Sequence, residues 1–473
     1  MATEDLSLQV LAALRRQGGA LAARELQQML GVSQPTVSRA LAPLIQSGQV
    51  RKVGAARTQR YVLPRQVAGV GAEVTIMRVD TEGRASPFGR MIALHGGGFW
   101  VDEADGLSEQ HDGLPWFLDD MRPQGFIGRS FAHSHPELQL GGDPRQWGED
   151  DVLRALARFG EDLPGNLIVG EAAFERFHSL PARTLRAASA ADYPRLAMQA
   201  MQGTHPGSSA GGEQPKFCCI TAGRSVIVKF SPAGNAPAEQ RIRDLLVCEH
   251  LALQTLAEDG LPAARTRLFL DGGRAFLESE RFDRSQPAPG DVPGDVPVSQ
   301  DHPGSNPGRI GMVSLQVLNA QYVGEVDNWA ATANRLAARG LITEADARSL
   351  RLLEAYGQLI ANTDRHYGNI SFVLPQPHGD WALSPTYDML PMLYMPINGE
   401  IVERDFGAQP QRPTAATLAE WPHAQALARR FWQTVAQDAR ISGDFRNIAT
   451  RNLEFMSALL TGTSNEIRIP ICG

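Results

Sequence analysis

A lysine stands inside an apolar run, Val226-Ile-Val-Lys-Phe230, bounded by the hairpin-like turn Ala222-Gly-Arg-Ser225 and preceded by a second strand-like run, Phe217-Cys-Cys-Ile220. An ammonium buried on such a strand without a partner costs several kcal/mol, so whatever fold forms must carry a carboxylate or a phosphate to Lys229. The bland alternative is a lysine on the solvent face of an edge strand. A glycine-rich stretch, Ser208-Ser-Ala-Gly-Gly-Glu-Gln-Pro-Lys216, lies just upstream, and the backbone N–H groups of such a turn can cradle phosphates. Downstream, Arg241 to Ala257 reads as a helix with Leu245, Leu246, Leu251, Leu253 and Leu256 among its apolar positions. It carries Glu249 as a partner for the lysine, with Glu239 as the rival.

A third group follows. Asp364 and Asn369 stand five positions apart in Ala361-Asn-Thr-Asp-Arg-His-Tyr-Gly-Asn369, and Asp388 ends Ser384-Pro-Thr-Tyr-Asp388. Phosphoryl transfer from ATP needs one carboxylate to orient the attacking hydroxyl, and an amide with a second carboxylate to hold Mg²⁺. The D-x-x-x-x-N spacing is that of a kinase catalytic loop. Alone it would be weak; it gains weight because the glycine turn and the lysine strand precede it in the same order.

The 473 residues are too many for one core and imply two to four domains. No apolar run approaches the roughly 20 residues of a membrane helix. The start, Met1-Ala-Thr-Glu-Asp, lacks the basic and apolar regions of a secretion signal, which argues for the cytoplasm. Cys218, Cys219, Cys248 and Cys472 show no metal-ligand spacing. The net charge of −7 is uneven: residues 1–65 hold nine Lys/Arg against three Asp/Glu, a basic head on an acidic body. That asymmetry points to a nucleic-acid contact confined to the head.

In this head, Leu8, Leu11 and Leu14 mark a first helix, and Leu26, Met29 and Leu30 a second. Ser33 caps a third, whose expected buried stripe is Val37, Leu41, Leu44 and Ile45. Two short strands follow, Val50 to Val53 and Tyr61 to Leu63, joined by a turn. Three helices and a ribbon resemble a winged helix-turn-helix. Gln34, Thr36, Ser38 and Arg39 would then reach base edges, and Arg57 and Arg60 on the wing would meet phosphates. The same domain could instead serve protein contacts.

From Val67 to Ser189 short apolar runs alternate with glycine turns, including His95-Gly-Gly-Gly-Phe99, read here as a plain turn. Leu114 to Gly125 reads as a packed helix and its exit, and Asp151 to Gly160 as an amphipathic helix; nothing in this β-rich region carries obvious chemistry. Ser285 to Gly311, rich in Pro, Gly, Asp and Ser, reads as a mobile insertion. The expected division is a DNA-binding head at 1–65, a β-rich subdomain at 66–190, a nucleotide lobe at 191–284, the insertion at 285–311, and a helical lobe at 312–473.

Taken together, Gly-Gly-Glu-Gln-Pro-Lys216, Ile-Val-Lys229, Glu-Arg-Phe-Asp-Arg284, Thr-Asp-Arg-His-Tyr-Gly-Asn-Ile-Ser371 and Pro-Thr-Tyr-Asp388 resemble the HipA family of bacterial Ser/Thr protein kinase toxins. With the head included, the chain is similar to the YjjJ-type members. The resemblance implies an α+β, two-lobed protein-kinase-like fold with a β-rich N-terminal subdomain, behind the winged helix-turn-helix. It implies ATP and Mg²⁺ as cofactors and a protein substrate tied to translation. Gly211, Gly212, Glu213, Gln214 and Lys216 would form the phosphate loop, and Lys229 would bind the α/β-phosphates. Glu280, Arg281 and Phe282 would be the hinge. Asp364 would be the catalytic base, Asn369 and Asp388 the metal ligands, and His366, Tyr367 and Tyr387 would line the site. Autophosphorylation of Ser208 or Ser209 would eject the loop and silence the enzyme. Arg365 departs from the family's glycine between the Asp and the His. HipA toxins bind a separate DNA-binding antitoxin; a chain with its own head either dispenses with one or borrows it. Two other readings stay open: a transcription regulator whose kinase-like body senses a nucleotide, and a small-molecule kinase.

Overall fold

The computed structural model describes residues 2–55, 58–179, 188–202, 214–285, 308–375, 379–408 and 411–461. Arg57, the glycine-rich stretch Ser208 to Glu213, and nearly all of the segment expected to be a mobile insertion lie outside the described residues.

The head comprises α1 (Ala2–Arg16), β1 (Ala20–Leu21), α2 (Ala23–Leu30), α3 (Gln34–Gln46), β2 (Arg51–Val53) and β3 (Arg60–Val62). Its strands form one sheet in the order β1-β3-β2, so β1, a strand not expected from the sequence, pairs with the wing. The buried stripe of α1 is Ser7, Val10, Leu11 and Leu14, with Ser7 Oγ donating to Ala40 O at 2.9 Å. A serine takes the position that apolarity alone would give to Leu8, and Leu8 is left 66% exposed. Likewise α3 buries Val37, Ala40, Leu41 and Leu44 at helical spacing, which leaves Ile45 off the stripe; Met29 is also exposed.

The middle region runs β4 (Glu73–Val79), β5 (Ala85–Ala93), β6 (Phe99–Glu103), β7 (Ser108–His111), α4 (Gly125–Ser134), α5 (Glu149–Phe159), β8 (Leu167–Val169) and α6 (Glu171–His178). Its antiparallel sheet has the order β7-β6-β5-β4-β8. Leu114 to Gly125 holds a 3₁₀ turn, Trp116–Met121, before α4 begins.

The triple glycine is the turn between β5 and β6, and it also seats the head. Leu63 N–H donates to Gly19 O at 2.7 Å and His95 N–H to Leu63 O at 2.9 Å. A Cβ on Gly19 would lie 2.6 Å from His95 O, and one on Gly96 2.8 Å from Gly18 Cα; both glycines have positive φ. Val53 and Val62 of the head pack with Ile92, Leu94 and Trp100 in a shared apolar cluster. Arg65 reaches Asp150 at 2.5 Å, and Arg51 pairs with Glu73. Head and middle region are therefore packed, not tethered.

The smaller lobe contains α7 (Tyr193–Met201), β9 (Lys216–Thr221), β10 (Arg224–Phe230), α8 (Pro237–Glu258), β11 (Thr266–Asp271) and β12 (Arg274–Glu280). The sheet order is β11-β12-β10-β9, which puts the lysine strand β10 inside the sheet. The edge-strand alternative for Lys229 is thereby removed.

The larger lobe contains β13 (Gly311–Ser314), α9 (Leu315–Tyr322), α10 (Trp329–Ala338), α11 (Glu344–Leu359), β14 (Ser371–Leu374), β15 (Ala382–Leu383), α12 (Trp421–Gln437) and α13 (Gly443–Thr461). Trp329, Tyr356, Phe431, Trp432 and Phe445 fill its core, the most extensive in the described chain. No helix among the described residues is long and apolar enough to cross a membrane.

Candidate active site

Lys229 pairs across β10 with Leu277 on one side and Lys216 on the other. Its Nζ donates to Glu249 Oε1 at 2.6 Å and also bonds the Asp388 carboxylate. Glu239, the rival partner, accepts the Ala236 N–H at 2.9 Å and closes the first turn of α8 instead. Burial alone would depress the Lys229 ammonium; Asp388 and Glu249 more than offset it and hold the lysine charged. Burial pushes Glu249 upward against the pull of Lys229. Asp388 is held below its usual range because Lys229 and Lys216 outweigh its desolvation. Lys216, equally buried, is lowered by its desolvation. Glu249 Oε2 is buried and has no hydrogen-bond partner among the described residues.

These groups line one cavity of about 440 Å³ between the lobes, together with Asn369, His366, Tyr387 and the stretch Ser279 to Asp283. Asp388 adopts a left-handed φ of 52°, unusual for a non-glycine residue and of the kind that marks functional turns. Asn369 Nδ2 donates to Asp364 O at 2.9 Å, which turns Oδ1 into the end left for a cation. A carboxylate and an amide oxygen are hard donors suited to Mg²⁺, which characteristically takes one or two protein ligands and completes its shell with phosphates and water. Among the described residues no group of three or more His, Cys, Asp or Glu is arranged to hold a metal.

Asp364 sits outside the cavity wall, its side chain 49% exposed and 4.0 Å from His366 Nε2. His366 Nδ1 accepts the Gly368 N–H at 3.0 Å, so the neutral ring carries its proton on Nε2, toward Asp364. Tyr387 stacks on Phe282 with centroids 5.6 Å apart and donates to Gly368 O at 3.0 Å.

Three expected ligands are placed otherwise. The Tyr367 hydroxyl bonds Thr332 Oγ1 and accepts the Asp327 N–H, both at 2.7 Å, on the far side of the turn from Asn369. Gln214 Nε2 donates to Phe230 O at 3.0 Å, which ties it to the end of β10 and away from the cavity. Arg281 touches the cavity, but its guanidinium is held by Asp283 at 2.8 Å and Asp162 at 3.2 Å. Arg284 joins the same buried group through Asp162 and Asp283 and donates to Leu163 O at 2.8 Å. Two of the three hinge side chains thus act differently, Arg281 as an anchor and Phe282 as a face for Tyr387.

The middle region, read as inert packing, supplies part of the cavity wall through Asp119, Asp120, Arg122 and Gln124. Asp120 accepts the Ser314 N–H at 2.5 Å, and burial raises its carboxyl. Nothing in a single chain marks this 3₁₀ turn as facing another lobe.

Residues 208–451 match the HipA-like C-terminal domain, residues 70–178 the middle domain of YjjJ-like toxins, and residues 7–54 the IclR helix-turn-helix domain. Toxin YjjJ of Escherichia coli (strain K12) is 37% identical over 440 residues, spanning 91% of this chain and 94% of that protein. The chain belongs to the HipA-like toxin family. Its α+β kinase-like fold follows from that membership and from the two lobes described above. Among solved structures it resembles a Shewanella oneidensis HipA in complex with HipB and operator DNA, at 16% identity over 81% of this chain and 96% of that one, with a TM-score of 0.47. It also resembles the Helicobacter pylori proinflammatory kinase CtkA, at 12% identity over 54% of this chain and 94% of that one, with a TM-score of 0.35. In this HipA-like chain Arg365 turns beneath the loop to Glu354 at 2.9 Å.

Proposed function

We propose that this HipA-like protein is an ATP- and Mg²⁺-dependent kinase that phosphorylates serine or threonine on a protein tied to translation, with a DNA-binding head. The observation that carries the reading is the meeting of Lys229, Glu249, Asn369 and Asp388 in one interlobe cavity, with Asp364 beside His366 of its wall. Glu249 aims the Lys229 ammonium, which would hold the phosphates of ATP. Asn369 and Asp388 would hold Mg²⁺, whose charge neutralises the transferring phosphoryl group. Asp364, 4.0 Å from His366, would accept the proton of the incoming hydroxyl. Of the hinge amides, Glu280 N–H donates to Arg265 O and Arg281 N–H to Ser225 O, so adenine would meet the backbone at Phe282. Ser208 or Ser209 would be the site of silencing autophosphorylation.

The test is transfer of labelled γ-phosphate to proteins of a bacterial lysate, with Mg²⁺ and with a chelator. Phosphoserine or phosphothreonine formed only with Mg²⁺ is the expected result. Label on small molecules alone would favour the small-molecule reading.

The head would bind DNA through α3, where Gln34, Ser38 and Arg39 are exposed and Thr36 is half-buried against Ser33. Arg60 lies on β3, half-buried and donating to Gln59 O, so its reach to a phosphate is shorter than its place in the sequence implies. An Arg39/Arg57/Arg60 triple alanine is expected to lose DNA binding and to flatten the log–log salt slope by up to about 3. Retained binding in an electrophoretic shift would move the interface to other exposed cations such as Arg24 and Lys52.

A further inference from the structure

We propose that Arg365 is a positioning residue that clamps the catalytic loop from below; the proposal rests on the kinase reading of the cavity. Arg365 stands between Asp364 and His366, yet its side chain runs back toward α11. Nε donates to Glu354 Oε1 at 2.9 Å, and Nη1 bonds Asn362 O. The buried Glu354 carboxylate uses its other oxygen to accept the Trp329 N–H at 3.2 Å, where α10 begins. The Trp329 indole in turn donates to His366 O at 3.0 Å. Arg365, Glu354, Trp329 and His366 therefore close a ring that fixes carbonyls on both sides of Asp364. Inside that ring, Asn362 Oδ1 accepts the Asp364 N–H at 2.9 Å.

The helix beneath is shaped for this arginine. Gly357 lies within α11, where glycine costs about 1 kcal/mol relative to alanine. A Cβ there would fall 2.8 Å from Arg365 Cδ, so the missing side chain is the room that the arginine stem fills. A lysine at 365 would bring a point charge to Glu354 or to Asn362 O but has no fork for both. Asp364 and Asn369 come from the one loop thus held, and a displacement of about 1 Å in a reacting group can cost roughly a hundredfold in rate.

The experiment uses the full chain with Arg365→Gly, Arg365→Lys and Gly357→Ala, the last leaving both partners of the ion pair in place. The glycine variant and Gly357→Ala should each lower kcat by roughly 10- to 100-fold while KM and Kd for ATP stay within about twofold; Arg365→Lys should recover part of the loss. Amide exchange across residues 362–370 should quicken by about tenfold or more in the same two variants, with the rest of the chain unchanged. Loop exchange equal to the parent's would overturn the clamp. So would a kcat loss that tracks weakened ATP binding, because that is what a merely structural arginine would give. If the parent transfers no phosphate, the kinase reading fails on that arm, and the exchange arm still decides the clamp.

Discussion

Replacing Asp364 by asparagine should lower phosphoryl transfer by about 10²- to 10⁴-fold and leave ATP affinity within about twofold. The isosteric amide keeps every main-chain contact of residue 364: the N–H on Asn362 Oδ1, and the carbonyl that accepts from His366 N–H and Asn369 Nδ2. What it loses is the carboxylate 4.0 Å from His366 Nε2. Because that carboxylate stands outside the wall around Lys229 and Asp388, nucleotide binding should not register its loss. Single-turnover transfer and a fluorescent-nucleotide titration, run on the same preparation, separate the two effects. Full transfer by the variant would remove Asp364 as the base. Tight ATP binding with no transfer by the parent would instead favour a nucleotide-sensing regulator.

Lys229→Met should destabilise the smaller lobe by about 3–5 kcal/mol, because it strands the buried Glu249 and the half-buried Asp388 without their shared cation. Glu249 is 2% exposed and already has one oxygen without a partner among the described residues; Asp388 would keep the nearby charge of Lys216, with His366 as a smaller aid. The double variant Lys229→Met/Glu249→Leu removes charge from both sides of the pair and should regain most of that stability, since an apolar replacement of a buried pair is often neutral. It should regain no ATP binding. Chemical denaturation and nucleotide titration of both variants check this: recovery of binding in the double variant would mean that the lysine is structural. A fall in stability no larger than that of an exposed lysine would contradict the burial that defines the site.

How much of this was legible in the chain depends on which neighbour a residue answers to. The pairing of Lys229 with Glu249 was readable because a lysine among Val226, Ile227, Val228 and Phe230 has to find an anion, and the leucine-rich helix after it offered one. The D-x-x-x-x-N loop and Asp388 were readable as spacing. Tyr367 was misplaced because a 3₁₀ turn sends neighbouring side chains to opposite sides, and adjacency to His366 says nothing about which. Leu8 was misplaced because Ser7 satisfies its hydroxyl on Ala40 O and so can take a core position. Asp119, Asp120 and the Asp162–Arg281–Asp283–Arg284 group escaped notice for a different reason. Asp120 meets Ser314, and Asp162 meets Arg281 and Arg284, across more than a hundred residues of sequence, and neither local period nor composition encodes such a meeting.

The interlock of Gly19 with His95 and of Gly96 with Gly18 also governs how the molecule can be dissected. Severing the first sixty-odd residues would unroof Ile92, Leu94 and Trp100, leaving an oily scar on the remaining protein. Head and middle region are thus carpentered together, and a chain cut between them would bare the apolar patch that Val53 and Val62 cover.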